Sequence, residues 1–118
     1  YPDLEGIYGM TSLALPGAAE ALIKENAYER IFLTGLSTPN SMRKYVKQGV
    51  VKEFVLWSPV DLGYLAIYAA KAVVDGAVDD TTASIPAGRL GQIKVRNREF
   101  LLGAPMIFNA ENIDRFDF

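Results

Sequence analysis

The sequence contains no cysteine and no histidine among its 118 residues, and it has a single tryptophan. These absences exclude disulfide bonds, thiolate nucleophiles and imidazole acid–base catalysis, and they remove the residues that most often bind zinc. No apolar run approaches the roughly 20 residues of a membrane-spanning helix. The chemistry that is left depends on hydroxyl, carboxylate, amine and aromatic side chains.

Charge is low and evenly spread along the chain. Twelve basic and fourteen acidic side chains give a formal net charge of −2, without a long run of one sign. Half of the residues are hydrophobic, which is enough for one compact domain with its own core. We therefore expect a folded domain that neither binds nucleic acid nor inserts directly into a membrane.

Residues 31–40 predict a buried strand, a polar turn and the start of a helix. Residues 31–35 are apolar except for Thr34 and do not alternate, which is typical of a central strand with both faces covered. Thr38 suits a helix N-cap, and Pro39 suits the first helical position. Because ligands of open α/β sheets bind at the carboxyl ends of strands, the turn is a candidate binding region.

Strand and helix patterns alternate three times before Gly76. The predicted strands cover residues 5–10, 31–35 and 52–58, and the predicted helices cover residues 16–27, 39–48 and 62–75. This alternation predicts βαβ units with parallel pairing, so the fold class is α/β, a parallel sheet with flanking helices. Short β additions, antiparallel or at a sheet edge, are expected in the C-terminal third at residues 92–96, 100–102 and 105–108, with one helical turn near residue 111.

Apolar positions at helical spacing predict the buried face of each helix. They are Ala18, Ala21, Leu22 and, less regularly, Ile23 in the first helix, Met42, Tyr45 and Val46 in the second, and Leu62, Leu65, Ala66, Ala69 and Val73 in the third. Asp61 is expected to cap the third helix and Gly76 to end it.

Familiar catalytic motifs are absent. The sequence has neither the glycine-rich phosphate loop nor the dinucleotide fingerprint, and hydroxyl rather than acidic residues follow the predicted strands, so neither a cofactor nor a metal site is expected. Ser41 and Lys44 have the spacing of a serine–lysine pair, but they fall inside a predicted helix. We interpret them as part of a solvated helix face.

Neutral polar groups and one aromatic ring follow the three predicted strands. They are Thr11 and Ser12, Ser37 and Thr38, and Trp57 and Ser58. If the strands are neighbours, these groups line a shallow crevice whose hydroxyls and indole suit a neutral sugar or polyol. The alternative is that Thr38 is only a helix cap, Ser12 an ordinary turn residue and Trp57 a core aromatic.

The segment from residue 34 to residue 57, TGLSTPNSMRKYVKQGVVKEFVLW, resembles the corresponding part of the periplasmic sugar-binding proteins of ABC importers. The nearest branch resembles the rhamnose-binding and autoinducer-binding proteins. The segments YPDLE, ALPGAAE and IFNAENIDRFDF, at residues 1–5, 14–20 and 107–118, fit the same family in the same order. The resemblance therefore extends over nearly the whole chain.

The resemblance implies a two-lobed protein that holds its ligand in the cleft between the lobes, with residues 1–118 as a C-terminal portion. The first residues also read as the end of a helix leading into a strand, so we expect a fragment. Residues 57–59 resemble a crossing between lobes, and residues from about 60 to 100 are then expected to belong to the other lobe. Exposed apolar surface would pair with the missing N-terminal lobe or with a second copy.

The resemblance also places ligand contacts at Thr11, Pro16, Ala18, Ser37 and Trp57. It implies no catalytic residue, no metal and no cofactor. Some relatives carry aspartate at the position of Ser37, and the autoinducer branch often has it where Ser58 stands. The identity of the sugar or signal therefore stays open.

The expected function is that of a solute-binding protein of an ABC transporter, not of an enzyme. It would bind a small sugar-like ligand, present it to an ABC permease and work in the periplasm or outside the cell, with a lipid anchor in a Gram-positive source. The alternatives are the ligand-sensing domain of a sugar-responsive transcription regulator and a small α/β enzyme.

Overall fold

Two separate hydrophobic clusters organise the chain. In this computed structural model, which describes all 118 residues, the chain divides into two units. Unit 1 comprises Tyr1–Leu56 and Met106–Phe118, and unit 2 comprises Trp57–Pro105. Each cluster of buried apolar side chains lies within one unit.

Strands and helices alternate in the first two thirds of the chain, and strands dominate the remainder. In chain order the elements are β1 (Gly6–Gly9), α1 (Ala14–Lys24), β2 (Phe32–Gly35), α2 (Pro39–Lys47), β3 (Glu53–Leu56), α3 (Pro59–Val74), β4 (Ser84–Pro86), β5 (Gln92–Arg96), β6 (Glu99–Leu101) and β7 (Met106–Asn109). Two 3-10 turns cover Gly88–Leu90 and Ile113–Arg115. The predicted α/β class is confirmed.

The strands of unit 1 form two pairs, β1 with β2 and β3 with β7, and a single bridge links the two pairs side by side. The first two strands are parallel, with Tyr8 opposite Thr34. One parallel bridge, between Leu36 and Val55, joins β2 to β3. The last strand, β7, runs antiparallel to β3. The parallel pairing inferred from the alternation of elements is therefore present, and the short C-terminal strand is an antiparallel addition.

The core of unit 1 lies on one face of this sheet, under α1 and α2. Leu33, Phe54 and Phe108 are buried there, and the two phenylalanine rings stack with their centroids 5.1 Å apart. The helices contribute Leu15, Ala19, Leu22, Met42, Tyr45 and Val46. Full burial of each large apolar side chain stabilises the fold by about 1.5–3 kcal/mol.

The buried face predicted for α2 is correct, and that for α1 is correct at Leu22 and Ala18 but wrong at Ala21 and Ile23. Helix α1 begins at Ala14 and not at the predicted residue 16, and its buried residues do not include Ala21 or Ile23, which are exposed. Pro16 is tolerated because the first turn of a helix leaves its N–H groups without intrahelical partners. The run of alanines makes the apolar period ambiguous, since a small side chain fits either face.

Side chains of α2 bind the C-terminal residues: Arg43 makes the most contacts, and Lys47 and Asn40 bond to Asp114 and Asp117. The guanidinium of Arg43 donates to Asn40 Oδ1 at 2.8 Å and to the carbonyl of Phe116, and it pairs with Asp114 at 3.4 Å. The backbone N–H of Asn40 donates to the carbonyl of Phe118 at 3.0 Å. The last residues of the chain are thus an integral part of unit 1.

In unit 2, α3 packs on an antiparallel sheet of β4, β5 and β6. The helix begins at Pro59, and Ser58 Oγ accepts from the N–H of Asp61 at 3.1 Å. The prediction of Asp61 as the cap was therefore wrong. Ser58 and Pro59 repeat the pattern of Thr38 and Pro39, a capping hydroxyl followed by proline. This pattern is the sequence signal that indicates where α3 begins.

The buried stripe of α3 also differs from the prediction. Leu65 is buried, and Tyr68 and Ala72 pack against the same cluster, whereas Leu62 and Val73 are exposed. An almost entirely apolar helix offers several equivalent stripes, so periodicity alone does not select one. Strand β4 was not predicted, because its only buried residue is one isoleucine between serine and proline.

Gly35 is the tightest point of the unit 1 sheet. Its φ is +150°, and a Cβ there would lie 2.7 Å from the carbonyl carbon of Gly9 and 2.8 Å from its nitrogen. We predict that Gly35→Ala lowers the free energy of unfolding by about 3 kcal/mol, through backbone strain and steric overlap. Urea titration provides the measurement.

A matched control for that substitution is Gly17→Ala. Gly17 lies in α1, and no neighbouring atom comes within 4 Å of the place that a Cβ would occupy. Alanine there should stabilise the protein by roughly 0.5–1 kcal/mol, because it reduces the entropy lost on helix formation. Equal effects of the two substitutions would show that the packing of β1 against β2 is looser than described.

Candidate functional site

The carboxyl ends of β1 and β2 lie side by side, and a helix begins shortly after each. The N–H of Leu36 donates to the carbonyl of Gly9 at 2.8 Å, so the pairing continues to the last residues of both strands. The turns that carry Thr11 and Ser37 therefore lie at the same edge of the sheet. Because helix N-termini carry partial positive charge, this edge favours electron-rich groups such as sugar oxygens.

Ser37 is the only fully buried polar side chain of the protein, with no exposed surface. Its Oγ donates to the carbonyl of Ser12 at 3.5 Å, the upper limit for such a bond. The hydroxyl ties the turn after β2 to the turn after β1.

The two threonines of this edge each accept a backbone N–H at the start of a helix, and Thr38 is the N-cap of α2. Thr11 Oγ1 accepts from the N–H of Ala14 at 3.0 Å, and Thr38 Oγ1 accepts from the N–H of Ser41 at 3.4 Å. The Thr38 hydroxyl also lies 2.8 Å from the Ser41 hydroxyl. The cap predicted for Thr38 is therefore present. Thr11 is exposed, so one lone pair of its hydroxyl remains accessible.

Pro16 and Ala18 lie in the first half of α1, and both are half-buried. Ala18 packs against the core cluster of unit 1. The structure therefore gives Ala18 a packing role, and both residues bring only apolar surface to the N-terminal part of the helix. They stay predicted contact residues.

Trp57 follows β3 directly and is the first residue of unit 2. Its side chain is 42% exposed. This exposure excludes the alternative in which Trp57 is a buried core aromatic. A partly exposed indole is suited to packing against a sugar ring, although its place in the ligand site stays a prediction.

Sequence reasoning did not identify Glu20, which connects α1 to α2. Its Oε1 accepts from Lys44 Nζ at 2.6 Å and from the hydroxyl of Tyr45 at 2.7 Å. The hydrogen bond to Glu20 raises the pKa of Lys44, which opposes a role for this amine as a general base. Lys44 is thus held in an ion pair, and it remains exposed on the helix face that we predicted to be solvated.

No group of three or more acidic side chains is placed to hold a metal ion. Among the helices of the structure, none combines the length and the apolar character needed to span a membrane.

Comparison with known proteins assigns the family. Residues 1–77, more than half of the chain, match the family described as periplasmic binding protein domain. The chain belongs to this family. The assignment agrees with the α/β fold of unit 1 and with the resemblance found in the sequence.

Three solved structures resemble the chain over almost its entire length. A sugar ABC transporter protein of Actinomyces odontolyticus is 42% identical, with a TM-score of 0.80, and the match covers 100% of this chain and 38% of that one. LsrB from Clostridium saccharobutylicum, in complex with AI-2, is 26% identical, with a TM-score of 0.81. The match covers 99% of this chain and 41% of LsrB. An ABC transporter solute-binding protein from Clostridium phytofermentas, with bound L-rhamnose, is 30% identical, with a TM-score of 0.78. The match covers 97% of this chain and 40% of that protein.

These matches confirm the resemblance to sugar-binding proteins of ABC importers, including the rhamnose and autoinducer branch. The chain spans about two fifths of the length of the proteins that it resembles.

The Glu20 cluster predicts a specific pH dependence. The hydrogen bond from Lys44 lowers the pKa of Glu20, so the ionised carboxylate stabilises the fold. This contribution is complete above the ordinary pKa of glutamate and is lost as the pH falls through the lowered pKa. We predict that Glu20→Gln lowers the Tm slightly at neutral pH and that the difference from the unmodified protein vanishes in acid.

Thermal unfolding followed by circular dichroism over a series of pH values measures this effect. Glu29→Gln is the control, since Glu29 is exposed and forms no ion pair. A Tm difference for Glu20→Gln that persisted unchanged in acid would contradict the role assigned to its charge.

Proposed function

We propose that this chain is part of a solute-binding protein of an ABC importer that binds a small sugar or sugar-like ligand. The observation that carries the proposal is Ser37, the only buried polar side chain, at the strand ends where two helices begin. Thr11 offers a second hydroxyl at the same edge. Neutral hydroxyls and an exposed indole are suited to a neutral ring with several oxygens.

The protein is proposed to be longer than this chain and to have two lobes that close on the ligand. In support, each relative with a solved structure is more than twice as long as the matched segment. Residues from about 60 to 100 are proposed to belong to a different lobe from the rest. The separate hydrophobic cluster of unit 2 supports this division.

The proposed role is transport and not catalysis. Closed, ligand-loaded protein would be recognised by an ABC permease, and closure would be driven by contacts of the ligand with both lobes. The proposed location is the periplasm or the cell exterior, with a lipid anchor if the source is Gram-positive. None of the three similar structures is described as a transcription regulator, so that alternative is not favoured.

The ligand is proposed to be an uncharged sugar or a furanosyl signal. The structures of two relatives contain L-rhamnose and AI-2, which are therefore the first compounds to test. Ser37 and Ser58 are the positions at which this chain has a hydroxyl in place of a possible carboxylate. Because a buried carboxylate and a hydroxyl select different hydrogen-bond partners, these two positions should influence the choice of ligand.

We predict that Trp57→Ala weakens ligand binding by about 1–3 kcal/mol in the longer protein, because the ring face loses its apolar partner. Isothermal titration calorimetry with L-rhamnose and with AI-2 is the measurement. Ile67→Ala, an exposed apolar residue of α3, serves as the control and should leave the affinity unchanged. Unaltered affinity of the Trp57 variant would remove this residue from the site.

The 118-residue chain alone should bind either compound at least about a hundredfold more weakly than the longer protein, because contacts from one side of a cleft do not suffice. Calorimetry on both proteins at equal concentrations compares the two affinities. Equal affinities would show that the binding site lies entirely within this chain.

A further inference from the structure

Arg89, in the 3-10 turn Gly88–Leu90 of unit 2, contacts the first two turns of α3. Its guanidinium pairs with Oδ1 of Asp61 at 2.5 Å and lies 4.6 Å from the centre of the Tyr64 ring. Its backbone N–H donates to the hydroxyl of Tyr64 at 3.3 Å. We call Asp61, Tyr64 and Arg89 the Arg89 cluster.

The turn that carries Arg89 packs closely on α3. Gly88 has a φ of +52°, and a Cβ there would overlap the hydroxyl groups of Tyr64 and Tyr68. The Tyr64 hydroxyl in turn donates to the Tyr68 hydroxyl at 3.2 Å. Because only glycine allows this approach, the backbone next to Arg89 has little room to move.

The ion pair of Arg89 and Asp61 differs from an ordinary exposed pair. Most exposed pairs fix little, because two long side chains lose conformational freedom when they form. Here the Asp61 side chain is short and only 32% exposed, and the guanidinium has the Tyr64 ring as a second partner. The other ion pair of α3, between Lys71 and Asp75, is more exposed and joins residues of the helix alone.

Asp61 connects the Arg89 cluster to Trp57. The backbone N–H of Asp61 donates to Oγ of Ser58 at 3.1 Å, and this bond caps α3. The Asp61 carboxylate also favours the positive N-terminal end of the helix. Ser58 is the neighbour of Trp57 in the chain, so the backbone that carries the indole depends on how firmly the first turn of α3 is held.

We infer that Arg89 is a positioning residue for Trp57. Through Asp61 it holds the first turn of α3, and it thereby fixes the direction in which the indole is presented to a ligand. The consequence for affinity rests on the proposed function, in which this indole packs against a sugar ring. An indole with a fixed direction loses less freedom on binding, so the same contact gives a tighter complex.

Fluorine NMR of the longer protein, with fluorotryptophan incorporated and no ligand added, tests the positioning. Trp57→Phe identifies the resonance of Trp57. We expect Arg89→Met and Asp61→Asn each to shift or broaden this resonance. Arg89→Lys keeps a positive charge beside Asp61 and should restore part of the native signal. A purely stabilising role of the ion pair would lower the Tm and leave the native resonance unchanged.

Lys71→Met is the matched control, because it removes an ion pair towards the other end of the same helix. It should leave the Trp57 resonance where it is. An unchanged resonance in both Arg89→Met and Asp61→Asn would overturn the inference, and so would an equal change in the Lys71 variant.

Calorimetry with L-rhamnose and with AI-2 measures the effect on binding. We expect Arg89→Met to raise the Kd about threefold, and to have no further effect in a protein that already carries Trp57→Ala, because the residue that it positions is then absent. The same loss in the presence and absence of the Trp57 ring would overturn the inference, since Arg89 would then act without Trp57.

Failure of the proposed function is distinguished from failure of this inference. A protein that binds neither compound would contradict the proposed function, whereas the fluorine spectra would still decide whether Arg89 positions Trp57. Normal binding together with an unchanged resonance in the Arg89 and Asp61 variants would contradict this inference alone.

Discussion

The parallel pairing of β1 and β2 determines where everything else in unit 1 lies. It depends on the close approach of Gly9 and Gly35, where no side chain larger than hydrogen fits without displacement. With the strand ends held together, the helices that follow both begin at one edge of the sheet. The buried hydroxyl of Ser37 then connects the two turns. Packing of glycine against glycine thus creates the polar edge.

Much of this arrangement is encoded locally and could be predicted. Thr38 and Pro39 specify the start of α2, whose mixed polar and apolar composition allows only one buried face. Where composition is uniform, prediction fails. The alanines of α1 and the apolar residues of α3 fit several orientations, and the neighbouring sheets decide among them. The Ser58 cap was predictable, because the next residue is proline, as after Thr38.

The sequence predicted which residues lie at the candidate site better than it predicted their burial and contacts. The polar residues after β1 and β2 do lie at one edge, as the α/β pattern required. No local signal indicated that Ser37 is completely buried or that Glu20 reaches Lys44, since both facts depend on the packing of α1 beside α2. Local sequence patterns do not predict contacts between residues that lie far apart in the chain.

The β1 and β2 strands that carry the polar edge expose Tyr8 and Phe32 on the sheet face opposite Leu33 and the core. The polar edge needs only β1, β2 and their helices, whereas the sheet that holds these strands in place exposes Phe32 and Ile107 to water. Covering that face would bury apolar area and lower the free energy of the paired strands, without touching Ser37. The alignment of the strand ends at the polar edge should therefore depend on residues far from that edge, because strands that separate lose it.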